Sequence, residues 1–147
     1  AYAPYSEFAV GAALRTTSGA VFHGANLENA AYGLGICAEI SALTSAASAG
    51  DMLVEQIAIC GFYFGSEHHE LRATTPCGRC RQVLQEFSDV SGKGIVVLAC
   101  NGNLSVIDKY LLSDLLPNSF GPKSIGIEFS MNKYKKNLMN RWRSYTR

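Results

Sequence analysis

Residues 54–64, VEQIAICGFYF, decide how the rest of the chain is read. After Glu55 and Gln56 the run is apolar, with β-branched and aromatic residues, and it reads as the central strand of a sheet. Before it, residues 37–49 (CAEISALTSAASA) are rich in Ala, Leu and Ile and stop at Gly50, as a helix with a glycine terminator does. After a polar loop at 65–75, residues 77–88 (CGRCRQVLQEFS) place Val83, Leu84 and Phe87 on one face of an amphipathic helix. Further out, 8–15 and 20–25 form two strands around the turn Thr17-Ser18-Gly19. Residues 94–100 and 104–110 are strands joined at Asn101-Gly102-Asn103. Residues 111–116 make a short helical turn closed by Pro117. Strands and helices alternate after the first hairpin. This predicts an α/β fold of three α/β/α layers, with a mixed sheet of about five strands and helices on both faces.

At 147 residues, 48% hydrophobic and 17% charged, the chain has enough apolar content to bury a core. A net charge of +1 supplies no general attraction to nucleic acid or anionic membrane. No apolar run approaches the roughly 20 residues of a membrane span. Residues 1–8 are polar and contain Pro4, unlike a secretory leader. Five cysteines is an odd number, and three of them have metal spacing, which fits a reducing cytoplasm better than a disulfide framework. Cys60 and Cys100 lie in strand-like apolar runs and read as small core residues.

The chemistry is concentrated in Cys37-Ala38-Glu39 and Pro76-Cys77-Gly78-Arg79-Cys80. Three thiolates can hold one zinc ion per chain and leave its fourth position for water, which becomes hydroxide near neutral pH. Helix starts favour thiolate, and Cys77 and Cys80, three apart, share a helix face. Glu39, two residues from a ligand, is placed to shuttle protons. Three thiolates on zinc leave excess negative charge, and Arg79 and Arg81, on either side of Cys80, are the available neutralising cations. The alternative is a structural zinc site, whose fourth ligand would be Cys60, Cys100 or a His.

A ligand-x-Glu segment followed by Pro-Cys-x-x-Cys is the signature of zinc deaminases. Four stretches in order extend the match: YAPYSEFAVGAAL (2–14), GANLENAAYGLGICAE (24–39), TPCGRCRQVLQEF (75–87) and LLPNSFGP (115–122). With them the chain resembles the short, homotetrameric, three-cysteine class of cytidine deaminases. The resemblance implies zinc on Cys37, Cys77 and Cys80, with Glu39 as general acid–base. It implies Asn26 and Glu28 on the ribose 3′-hydroxyl, the Ala38 N–H on the pyrimidine O2 and the Thr75 carbonyl toward the departing ammonia. Phe8 and Tyr32 would wall the pocket, and Phe120 would reach the pocket of a neighbouring subunit. The implied reaction turns free cytidine or deoxycytidine into uridine or deoxyuridine in pyrimidine salvage. Without the resemblance, Asn26 and Glu28 read equally as a loop-capping polar pair and the aromatics as core.

Three features depart from that class. Ile40 stands where an Arg usually neutralises a ligand thiolate, which makes Arg79 its expected substitute. The loop 65–75 is long and carries His68 and His69, read as solvated rather than as a second metal site. Residues 130–147 carry six Lys or Arg and no acid, with Met131, Tyr134, Leu138, Trp142 and Tyr145 at helical spacing. This divides the chain into a catalytic domain at 1–129 and a basic amphipathic tail at 130–147. The tail is expected to pack on the body or on a neighbouring subunit rather than bind nucleic acid. No helix precedes the 2–14 stretch in this sequence, so one outer layer is expected to be incomplete. Three rival readings stand beside the main one: a zinc deaminase acting on cytosine or adenine within a polynucleotide, a deaminase of blasticidin-like nucleoside antibiotics, and a non-catalytic zinc-binding module.

Overall fold

In the computed structural model, residues 1–65, 72–128 and 130–145 are described. The hairpin β1 (Phe8–Thr16) and β2 (Val21–Ala25) leads into helix α1 (Ala38–Ser48). Then follow β3 (Val54–Tyr63), α2 (Gly78–Ser91), β4 (Val96–Asn101), β5 (Ile107–Leu111), the single turn α3 (Leu112–Leu115) and α4 (Met131–Tyr145). The sheet order is β2-β1-β3-β4-β5, so residues 54–63 do form the central strand. Only the β3–β4 pair is parallel, linked through α2, and the other pairs are antiparallel. This is the α/β class with a mixed five-stranded sheet that the sequence indicates.

Strand register divides the sheet into two unlike faces. Ala12 and Leu14 of β1 stand opposite Ile59 and Ile57 of β3, and Ile57 stands opposite Val97 of β4. These residues form one core with Ala38, Ala42, Leu43 and Ala46 of α1 and Leu84 of α2. Both helices therefore cover the same face. On the other face Ala13, Ala58, Cys60, Phe62 and Leu98 are only half-buried.

The closest approach in this layer is at Gly24. A Cβ there would run into the Ala38 carbonyl and the Ala42 nitrogen of α1. Gly24 thus lets the start of α1 lie directly on β2, which fixes where Cys37, Ala38 and Glu39 emerge. Gly50 (φ 72°) follows the C-terminus of α1, and Gly92 (φ 66°) caps α2, both in the left-handed region where Gly costs least.

Helix α4 forms over the basic tail. Its apolar stripe stays about half-exposed, with Tyr134, Leu138 and Met139 at 46%, 55% and 50%. The expectation that this stripe packs on the body is therefore not met by these side chains within one chain. Those of Trp142 and Tyr145, and His68 and His69 entirely, lie outside the described residues. Among the described residues no helix is long and apolar enough to cross a membrane.

Candidate active site

The starts of α1 and α2 meet, and each carries a cysteine where Ser, Thr, Asp or Asn would be the stabilising choice. Cys37 is the N-cap of α1 and Cys77 the N-cap of α2. Cys80 follows in the first turn of α2 and is fully buried. The three sulfurs lie within 4.8 Å of one another, and Cys37 Sγ is 3.9 Å from Cys77 Sγ. Three sulfurs 2.3 Å from one tetrahedral zinc would stand about 3.8 Å apart, so the cluster fits that ion. Cys60, Cys100 and His23 do not join it, and among the described residues it is the one group of this kind. A closed four-ligand structural site is thus not assembled from them.

The thiols are electrostatically unequal. Burial pushes Cys80 far up, with the charges of Glu39 and Cys37 adding to it. Burial also raises Cys37, helped by Cys77 and Glu39 against a favourable bond from Cys80. At Cys77 burial acts upward too. There the Cys80 N–H and the thiols of Cys80 and Cys37 outweigh it, and the thiol is lowered. Three thiolates in such proximity form together only when a cation compensates them, so metal binding here expels protons.

Glu39, in the first turn of α1, is only 4% exposed. It lines an open cavity of about 690 Å³ whose walls also include Phe8, Asn26, Glu28, Tyr32, Cys37, Ala38, Thr75, Cys77 and Arg79. Most of the residues singled out in the sequence are therefore brought to one cleft. The Phe8 ring stands edge-on to Tyr63 at 4.7 Å between centroids and lies where a Cβ on Gly61 would be, so Gly61 makes its seat. Tyr32 sits on a single 3-10 turn (Tyr32–Leu34) at the rim, 81% exposed, edge-on to Tyr5 at 6.1 Å.

Asn26 and Glu28 are more committed than their expected role suggests. Asn26 Nδ2 donates to the Phe8 carbonyl (2.9 Å), and its Oδ1 accepts from the Val10 N–H (3.0 Å). Glu28 Oε2 accepts from the N–H groups of Tyr5 (2.9 Å) and Ser6 (3.2 Å). The Ser6 hydroxyl first, and these amides with it, hold the Glu28 carboxyl below its ordinary range. Both side chains organise the segment that carries Phe8. Asn26 keeps a second N–H, and the Glu28 carboxylate, with about four acceptor sites for the donors of Tyr5 and Ser6, keeps acceptor capacity for a further partner.

Two of the expected residues lie elsewhere, and a third lines the cleft but bonds away from the sulfurs. Phe120, 60% exposed, lines a separate small pocket beside Gln82 and Pro122, away from its own chain's cleft. Arg81 does not serve the sulfurs as expected: its Nε donates to the Pro76 carbonyl (2.8 Å) and a terminal nitrogen to the Leu115 carbonyl (2.9 Å). Arg79 lines the cleft, but its guanidinium donates to the Gly35 carbonyl (3.2 Å) rather than to a sulfur. The cleft also contains Tyr5, Ser6, Val10, Ile36 and Thr74, which the sequence reading passed over. Tyr5 and Thr74 could have been found from their adjacency to the 2–14 stretch's Phe8 and to Thr75.

Comparison with known proteins agrees with this geometry. The family model described as the cytidine and deoxycytidylate deaminase zinc-binding region matches residues 1–100. The chain is 43% identical over 121 residues to a cytidine deaminase of Halalkalibacterium halodurans, covering 82% of this chain and 83% of that protein. It is 39% identical over 125 residues to one of Mycobacterium tuberculosis, covering 82% and 79%. The crystal structure of the Burkholderia pseudomallei cytidine deaminase superposes with a TM-score of 0.68 at 42% identity, over 81% of this chain and 87% of that one. With sequence, fold and a three-thiol zinc site in agreement, the chain belongs to the cytidine deaminase family.

Proposed function

We propose that this chain is a zinc-dependent hydrolase that removes the 4-amino group of cytidine and deoxycytidine. The observation that carries the reading is Glu39, a carboxylate buried beside a three-thiol cluster and facing an open cleft. Zinc, when bound by Cys37, Cys77 and Cys80, supplies a water acidified toward neutral pH. Glu39 accepts that water's proton and passes it to ring N3, which makes C4 more electrophilic. The water's oxygen adds to C4, and Glu39 then moves the proton of the resulting C4 hydroxyl to the exocyclic nitrogen, so that the C4–N bond breaks, ammonia leaves and the oxygen stays as the carbonyl. The unclaimed N–H of Ala38 at the start of α1 suits the pyrimidine O2, and the Thr75 carbonyl suits the leaving amine. The free valences of Asn26 and Glu28 suit the ribose 3′-hydroxyl, a group that internal residues of a polynucleotide lack. Phe8 and Tyr32 flank the base and sugar.

The finer reading is a cytoplasmic homotetramer serving pyrimidine salvage, with Phe120 entering a neighbour's cleft. In its catalytic domain, residues 1–129, the exposed apolar rim of Tyr5, Tyr32, Leu34 and Ile36 supports assembly around the mouth of the cleft. The tail, 130–147, is held to lie outside the catalytic unit.

The test is the fall in cytidine absorbance with the parent and with Glu39→Ala, zinc being quantified in both. The expected result is turnover by the parent and a loss of at least about 100-fold in the variant, the low end for a general acid–base. A zinc-loaded parent that turns over no cytidine would sink the reading and direct the search to blasticidin-like nucleosides. A fully active variant would sink the role of Glu39.

A further inference from the structure

We infer that Arg79 is a positioning residue, which sets Cys37 against α2 through the carbonyl of Gly35. The inference rests on the reading of Cys37, Cys77 and Cys80 as zinc ligands. A guanidinium in the first turn of a helix opposes the macrodipole, which favours acids there. Arg79 is nevertheless in that turn, between two of the thiols, and exposed. Its donor crosses to Gly35 (3.2 Å), two residues before the N-cap of α1. Gly35 is itself bonded back to Tyr32 through its N–H (3.2 Å). On its far side the segment is pinned by the reciprocal Leu27–Ile36 bonds, both 2.9 Å. Arg79 supplies the tie from the α2 side.

Arg81 does the matching work on the other ligand segment. By gripping Pro76 and Leu115 it fixes the approach to Cys77. The two arginines that flank Cys80 therefore refer both ligand-bearing segments to one helix. The gap that these ties span is the 3.9 Å between Cys37 and Cys77. A site held at that spacing before the ion arrives loses less freedom on binding it, and keeps it longer.

The experiment follows zinc release from holoprotein into excess pyridylazoresorcinol, without substrate, for the parent, Arg79→Met and Arg79→Lys. Metal content is measured beforehand. Arg79→Met, which keeps the bulk and loses the donor, should release zinc roughly tenfold to a hundredfold faster, the usual scale for groups that orient metal ligands. Arg79→Lys, which keeps a donor of similar reach, should fall between the two. Release from Arg79→Met at the parent's rate would overturn the inference, as would equal rates for the Lys and Met variants. A parent that holds no zinc at all overturns the zinc reading with it, and the initial metal content tells that case apart.

Discussion

Cys77 and Cys80 are three residues apart on one helix, yet their environments push their thiols in opposite directions. The exposed Cys77 is lowered by hydrogen bonds, and Cys37 and Cys80 are raised first by burial. Thiolate is the reactive form, and the fraction present near neutral pH falls as the pKa rises. In zinc-free protein, limited alkylation by iodoacetamide should therefore mark Cys77 first, Cys37 next and Cys80 last, read by peptide mass. Restoring zinc should protect all three, because coordination draws electron density from each thiolate and lowers its nucleophilicity. Modification of Cys80 ahead of Cys77 would contradict the burial argument. The residue types needed for the site were legible in the sequence because zinc chemistry restricts them so tightly. Where Arg79, Arg81 and Asn26 spend their hydrogen bonds was not. Those partners, at Gly35, Leu115 and Phe8, come from segments 44, 34 and 18 residues away.

At the scale of elements, the site depends on how closely α1 lies on β2. Gly24→Ala would drive a methyl group into the backbone of α1 at Ala38 and Ala42, where nothing flexible can yield. The expected cost is about 1–3 kcal/mol in urea unfolding, the usual range for overpacking. Zinc content should fall with it, because Cys37 and Glu39 leave the helix start that is displaced. Gly11, with open space around its would-be Cβ, is the control. Gly11→Ala should be neutral or stabilising by about 0.5–1 kcal/mol, since Gly in a strand is entropically expensive. Equal effects at the two positions would remove the packing argument. The elements themselves were readable wherever glycine or a turn punctuates them, as at Gly50 and around residues 17–19. Two boundaries moved by three residues. Helix α2 runs on to Ser91 because its terminator is Gly92, and the residues after 88 contain no earlier stop. Strand β5 begins at Ile107 rather than 104 because Asn101 builds a wider turn. Its Oδ1 accepts from the Val106 N–H (2.9 Å), its Nδ2 donates to Ser105 Oγ (2.8 Å), and Leu104 takes φ 62°. A side-chain-built turn of that kind has no signature in hydrophobic periodicity.

At the scale of the whole molecule, the apolar surface left exposed by one chain is extensive. It includes the cleft rim, the open sheet face with Ile107 and Leu111 at its edge, and Phe120. Exposed apolar side chains of this kind support the proposed assembly. If the proposed assembly is right, the cleft of one subunit is completed by Phe120 of another, and the two halves of the site can be broken separately. Phe120→Ala should lower kcat/KM roughly tenfold to a hundredfold, matching the about 1.5–3 kcal/mol that burying a Phe side chain is worth. Glu39→Ala should abolish turnover by itself. Co-expression of the two variants then makes mixed oligomers in which a Glu39→Ala subunit lends an intact Phe120 to a Phe120→Ala subunit that still has Glu39. The mixed preparation should be more active than the mean of the two pure variants at equal zinc loading. Sedimentation velocity should show all three preparations at one oligomeric size. Activity at the mean, with assembly intact, would mean that Phe120 acts within its own chain or not at all, and that each cleft is complete in a single subunit.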